Sequence, residues 1–128
     1  MEPRILLVED NDFSRDMMSR RLRKRGFEIL LACDGYEAIQ QGLSQQPDLI
    51  LMDLSLPMMD GWNASSQLKQ MPETRSIPII ALTANAMQGD RERALKAGCD
   101  NYIAKPVKLD ELLAMMRQYL PDSEENKQ

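Results

Sequence analysis

The chain contains no histidine, which excludes serine–histidine–aspartate catalysis and any histidine-ligated zinc site. Cysteine is nearly as scarce. Cys33 and Cys99 are the only two, a poor basis for a disulfide framework and a usage suited to a reducing, cytoplasmic setting. No apolar run approaches the roughly 20 residues that a membrane span needs. The early stretch Arg4-Ile5-Leu6-Leu7-Val8 is far too short for the core of a secretory signal. Positive charge is not in excess either: the net charge is -4 and the pI about 4.9, so bulk charge gives no reason to expect nucleic-acid binding. The one basic run, Arg20-Arg21-Leu22-Arg23-Lys24-Arg25, reads as a solvated helix face and C-terminus, where cations offset the macrodipole. There is no internal repeat. A length of 128 residues suits one domain with one sizeable core, expected over residues 1–120, with a loose polar tail at 121–128.

What is present is organised around Pro47-Asp48-Leu49-Ile50-Leu51-Met52-Asp53. An unbroken apolar run of this length reads as a strand buried on both faces, as in a parallel sheet. It ends in a carboxylate. Ahead of it, Arg4 to Val8 reads as a first strand, and Phe13, Met17, Met18 and Leu22 fit one face of a helix that Gly26 and Phe27 close in the Schellman manner. Glu28 to Ala32 forms a second strand. Asp34-Gly35-Tyr36-Glu37 has capping-box spacing, and Ala38, Ile39 and Leu43 give the helix that follows its buried side. After the central strand, a helix carrying Ala64, Leu68 and Met71 leads to a fourth strand over Ile77 to Thr83. A helix with Met87, Ala94, Leu95 and Ala97 stops at Gly98, and Asn101 to Lys105 is a shorter, more polar strand, expected at an edge. Leu109, Leu112, Leu113, Met116 and Leu120 mark an amphipathic last helix, for which Lys108 is a poor N-cap. Strand and helix thus alternate five times. The pattern implies a doubly wound α/β fold, a three-layer sandwich with a five-stranded parallel sheet and helices on both faces; in a fold of the 2-1-3-4-5 order, strands one and three would be neighbours at the topological switch point.

In such sheets ligands bind at the carboxyl ends of the strands. There the first strand offers Glu9 and Asp10, the third Asp53, the fourth Thr83 and the fifth Lys105. Taken singly these are ordinary: an acidic pair often caps a helix, an Asp often opens a turn, and a Lys-Pro pair often ends a strand. Taken together, in order and on one edge, they describe chemistry. Carboxylates about 4 Å apart repel by roughly 4 kcal/mol at an effective dielectric near 20, so Glu9, Asp10 and Asp53 call for a cation. An all-oxygen site suits Mg²⁺. Thr83 adds a hydroxyl donor and Lys105 a compact positive charge. The set fits a phosphoryl group arriving on Asp53, with the aspartate oxygen attacking in line.

The motifs resemble those of response-regulator receiver domains over residues 4 to 120. The resemblance rests on Leu7-Val8-Glu9-Asp10-Asn11, Asp48 to Asp53, Pro57-Met58-Met59-Asp60-Gly61, Ile79 to Ala84, and Gly98 to Pro106. It implies that Asp53 accepts a phosphoryl group from a histidine kinase or histidine phosphotransfer protein. Asp10 would be a direct Mg²⁺ ligand, Glu9 would act through a metal-bound water, and the Ser55 carbonyl would be a further ligand. Thr83 and Tyr102 would form a switch pair, with Ala84 beside them too small to block the motion. Lys105 would bind a phosphoryl oxygen, and the Lys105–Pro106 bond would be cis. The output surface would be the fourth helix, fifth strand and fifth helix, around Met87, Lys105 and Leu109. Glu9 stands where many members carry Asp, which lengthens its reach.

Other classes fit less well. A haloacid-dehalogenase-type phosphatase needs an Asp two residues after its nucleophile, and Ser55 is there. A flavodoxin-like FMN carrier needs a hydroxyl- or glycine-rich phosphate loop after the first strand, where Glu9 and Asp10 would repel phosphate. A receiver-like binding module that no longer depends on phosphorylation remains the alternative. Met58, Met59 and Trp62 read as packing for the loop and the third helix rather than as a partner groove. The expectation is a cytoplasmic signalling phosphoacceptor, not an enzyme acting on a separate substrate, with neither nucleic acid nor membrane as partner. A stand-alone regulator and a receiver excised from a hybrid kinase both fit.

Overall fold

A computed structural model describes residues 2–54, 61–83 and 88–120, the side chains of 88–91 aside. Ser55, Pro57, Met58, Met59, Asp60, Ala84, Met87 and the expected tail at 121–128 lie outside the described residues. The chain alternates β1 (Arg4–Val8), α1 (Asp12–Lys24), β2 (Glu28–Ala32), α2 (Gly35–Gln45), β3 (Leu49–Asp53), α3 (Gly61–Gln70), β4 (Ile79–Thr83), α4 (Gln88–Lys96), β5 (Asn101–Ala104) and α5 (Leu109–Arg117). All pairings are parallel, in the order β2-β1-β3-β4-β5. No described helix is long and apolar enough to cross a membrane.

The parallel sheet explains its own sequence. Every residue of β3 and β4 is buried, because helices cover both faces. Alternate residues enter two cores. Leu6, Val8, Ile50, Met52, Ile79 and Ala81 pack with Ala38 of α2, Ala64 and Leu68 of α3 and Ala94 of α4. Ile5, Leu7, Leu49, Leu51, Ile80 and Leu82 pack with Leu22 of α1 and Leu112, Leu113 and Met116 of α5. The strand starts are held by two carboxylates that accept backbone N–H groups: Asp48 Oδ2 from Arg4 at 2.8 Å and Asp100 Oδ2 from Ile79 at 2.8 Å. Lys69 joins the second, 2.9 Å from the same oxygen, and donates to the Ile77 carbonyl at 2.7 Å.

Local signals in the sequence hold. Phe27 N–H reaches the Leu22 carbonyl and Gly26 N–H that of Arg23, the paired bonds of a Schellman ending. Gly26 takes φ 94°, open to glycine at no steric cost. Asp34 accepts from the Glu37 N–H at 2.9 Å, while the Glu37 carboxylate reaches back to Cys33 N–H at 2.7 Å, one residue before the usual capping-box partner. Asn11 caps α1, and Lys108 makes no side-chain cap on α5. Both cysteines are free, Cys33 exposed and Cys99 buried.

Helix faces needed correction. Phe13 is 73% exposed and Met17 36%. The inward stripe of α1 runs instead through Arg15, Met18, Ser19 and Leu22, at helical spacing. Polar residues at two of those positions hid the stripe from a hydrophobic count. Leu43 is likewise exposed, because Gly42 is the residue that α2 turns toward Leu68, and Leu95 is exposed while Ala94 is buried. β4 starts at Ile79 rather than Ile77, with the Pro78 carbonyl still accepting from Ile50. β5 ends at Ala104, a residue before Lys105, and is an edge as expected. Between α3 and α4, the Arg93 guanidinium carbon lies 4.3 Å from the centre of the Trp62 ring, a cation–π contact.

Two glycines set how closely elements approach. A Cβ on Gly61 would lie 2.3 Å from the Asp53 carbonyl oxygen and 2.7 Å from the Leu54 Cα, whereas one on Gly42 would meet the end of the Leu68 side chain at 3.0 Å. Backbone cannot yield as a side-chain terminus can. Gly61→Ala should therefore cost about 2 kcal/mol or more, and Gly42→Ala, with its helix-propensity gain, much less. Urea midpoints compare them; equal losses would show that the Gly61 contact is not tight.

Candidate functional site

Register builds the site. Val8 pairs with Met52, so Glu9 and Asp53 leave the sheet side by side. Asp53 pairs with Leu82, which puts Thr83 one step beyond it. Thr83 pairs with Ala104, and Lys105 follows, its N–H donating to the Thr83 carbonyl at 2.7 Å. Four of the expected positions thus meet at one sheet edge because parallel strands start and stop in step.

Glu9, Asp10 and Asp53 each offer a carboxylate oxygen within 4.8 Å of the others. Glu9 and Asp53 are buried at 5% and 2% exposure, while Asp10 is exposed. Lys105 Nζ sits between the buried pair, 3.0 Å from Asp53 Oδ2 and 3.3 Å from Glu9 Oε1. Asn11 N–H adds a bond to Glu9 Oε2 at 3.3 Å. Burial, followed by the hydrogen bond and charge of Asp53, pushes the Glu9 carboxyl above its ordinary value, against the pull of Lys105 and Asn11. Burial alone would lower the Lys105 ammonium, but the hydrogen bonds and charges of Asp53 and Glu9 hold it above its ordinary value. Lys105 therefore stays charged, paired with two of the three carboxylates. Thr83 is buried and Tyr102 half-buried. Tyr102 packs on the same core as Ala81, its register partner. The Lys105–Pro106 bond is cis.

The donor set fits Mg²⁺. Its ligands are all oxygens, and oxygens bound to one Mg²⁺ at about 2.1 Å lie roughly 3–4 Å apart, compatible with the spacing of these three carboxylates. Beside them a groove of about 260 Å³ opens between α1 and the end of β5, lined in part by Ser14, Met17, Arg21, Lys105, Pro106 and Val107.

Residues 5–117 match the model of the response regulator receiver domain. The chain belongs to that family. The receiver is 37% identical over 123 residues to the polar-differentiation response regulator DivK of Brucella anthropi, an alignment covering 96% of this chain and all of that protein. It is also similar to the receiver domain of sensor histidine kinase PA1611 from Pseudomonas aeruginosa, solved with a magnesium ion coordinated in the active site cleft. That likeness has a TM-score of 0.87 and 42% identity, covering 93% of this chain and 98% of the other. A third relative is the receiver domain of the Saccharomyces cerevisiae response regulator Ssk1, solved with the histidine phosphotransfer protein Ypd1. Its TM-score is 0.86 at 31% identity, with 92% of this chain and 88% of that one covered.

One residue near the site went unmarked in the sequence. Arg15 donates through Nη1 to the Glu9 carbonyl at 2.9 Å and through Nη2 to Asp12. Its signal was spacing: a charged residue on the inward stripe of a helix needs a buried partner.

The raised Glu9 carboxyl has a testable sign. A folded value above the unfolded one, ordinarily 4.5, makes protonation favour folding. That benefit is complete below the unfolded value and is lost as pH rises through the folded one. In EDTA, Glu9→Gln should therefore melt a few degrees above the wild type at pH 7, with the gap closing toward pH 4. A gap that stays constant across this range would show that Glu9 ionisation carries no cost.

Proposed function

We propose that this receiver is a phosphoacceptor switch of a two-component or phosphorelay system, modified on Asp53. The single observation that carries the reading is the placement of Asp53: a buried carboxylate against Lys105, within 4.8 Å of two further carboxylates. An aspartate in that position is a nucleophile held in place, with a cation ready for the incoming oxygens.

The donor would be a phosphohistidine on a kinase or phosphotransfer protein, as supported by the yeast receiver solved with Ypd1. An Asp53 oxygen attacks phosphorus, the O–P bond forms, and the N–P bond to the donor imidazole breaks. Lys105, already 3.0 Å from Asp53 Oδ2, shifts to a phosphoryl oxygen as charge develops there. Thr83 donates its hydroxyl to another. Mg²⁺, when bound, would offset charge on the phosphoryl oxygens and counter the repulsion among the carboxylates. Asp10 and Asp53 would hold it directly, the Ser55 carbonyl would add a ligand, and Glu9 would reach it through water. The domain turns over no separate substrate beyond its own phosphorylation and dephosphorylation. Exposed Met17, which lines the groove together with Glu9 and Lys105, and exposed Phe13 on the same helix would give a donor protein apolar surface. The reading places the domain in the cytoplasm.

The phosphoryl group adds roughly -1.5 to -2 charges and strong acceptor oxygens. Drawing Thr83 toward them vacates space that Tyr102 fills, and the output face formed by α4, β5 and α5 changes with it.

Three measurements test the reading. Asp53→Asn should fold and should lose labelling by acetyl phosphate or a kinase; undiminished label would overturn the assignment. Millimolar Mg²⁺ should raise the wild-type melting temperature by mass action and raise that of Asp10→Ala far less; equal rises would remove Asp10 from the site. Thr83→Ala should still accept phosphate but lose most of the beryllofluoride-induced amide shifts over residues 101–112. Shifts confined to α1 and α2 in the wild type would show that this switch is the wrong one.

A further inference from the structure

The acidic loop between β1 and α1 is held from behind by one side chain. Arg15 lies on the inward stripe of α1, with a side chain only 16% exposed. Its Nη1 donates to the Glu9 carbonyl at 2.9 Å and approaches the Asp10 carbonyl at 3.5 Å. Its Nη2 is paired with Asp12 in the first turn of α1. One guanidinium therefore spans the backbone of both acidic residues and the helix that follows. The chain turns sharply here from strand to helix, and carbonyls in such a turn need partners. Glu9 N–H is already fixed to the Ala32 carbonyl, so Arg15, on the Glu9 carbonyl, fixes the peptide unit that follows. Asp10 depends on it more. Its carboxylate is exposed, and its direction is set by the backbone beneath it.

The geometry points to Arg15 as a positioning residue for the divalent cation: by tying down the Glu9 and Asp10 carbonyls, it holds their carboxylates at cation-binding spacing beside Asp53. The inference rests on the Mg²⁺ site proposed above and adds the device that sets its affinity. Shape, not charge, is the operative property. A guanidinium offers five donors in a planar fork, which a lysine ammonium on its flexible stem cannot reproduce. Charge acts in the opposite direction. A cation this close to the loop repels Mg²⁺, so a purely electrostatic Arg15 would weaken binding, and its removal would tighten it.

Those opposite signs make the test decisive. Mg²⁺ alone is titrated calorimetrically, at constant ionic strength, into the wild-type chain, Arg15→Lys and Arg15→Ala. Circular dichroism and melting in EDTA establish that each is folded. We expect the Mg²⁺ Kd to rise about tenfold in both variants, the scale on which partners of metal ligands act. Asp12→Asn, which frees the far end of the fork, should give a smaller rise that does not add to that of Arg15→Lys. If Arg15→Ala cannot fold, Arg15→Lys and Asp12→Asn carry the test, since both keep a polar group at the position. Unchanged affinity in Arg15→Lys, or tighter binding in Arg15→Ala, overturns the positioning role while leaving the cation site standing. A wild-type chain that neither gives heat with Mg²⁺ nor melts higher in it overturns both.

Discussion

Two buried carboxylates on neighbouring strands, with a single ammonium between them, are the constraint on which this receiver is built. Glu9 and Asp53 are almost wholly removed from water, where unpaired charge is costly. Lys105 reaches both, yet Glu9 is still pushed above its ordinary value. The one ammonium thus does not cancel the cost of holding Glu9 ionised. Hydrophobic burial elsewhere must offset that cost, and the sheet supplies it: β3 and β4 are buried throughout, with a separate apolar cluster on each face. A strong core is what permits a strained edge.

Carboxylates play two parts at the two ends of the sheet. Asp48 and Asp100 lie at the strand starts, where each accepts a backbone N–H and Asp100 also meets Lys69. They are satisfied and structural. Glu9, Asp10 and Asp53 lie at the strand ends and crowd one another. Partners, not residue identity, separate the two sets, and polarity of a parallel sheet decides which end gathers which.

That polarity is why so much was legible in the sequence. Strands buried on both faces appear as unbroken apolar runs, and β1, β3, β4 and β5 each end at a site residue or one residue before it. The parallel sheet and its β5 edge followed from the runs and the crossover rule, and the meeting of Glu9, Asp53 and Lys105 from the 2-1-3-4-5 order of the doubly wound fold. The helices were harder, because they are covered on one side only and by residues that need not be apolar. Ser19 is buried with its hydroxyl turned back to the Asp16 carbonyl, and Arg15 points inward because loop carbonyls receive it. Gly42 is the residue that α2 packs against Leu68 of α3, which left Leu43 outside. In each case a tertiary partner invisible in the sequence overrode the hydrophobic count.

The location of Lys105 determines where a disturbance at Asp53 can travel. β1 and β3 are paired on both sides, so their ends are held by ladders left and right. β5 is paired only to β4, is four residues long, and has partly exposed residues at three of its positions. Lys105 continues that strand, and its N–H is bonded to the Thr83 carbonyl. Charge added at Asp53 would therefore pull on an edge strand with a single neighbour, through a cation it already touches. The opposite edge is less exposed to the same pull, since β2 meets the site only through the Glu9 N–H and the Ala32 carbonyl, backbone groups without net charge. Among the described residues, low local pairing and direct ionic contact coincide at β5, the side of the sheet on which the proposed rearrangement would fall.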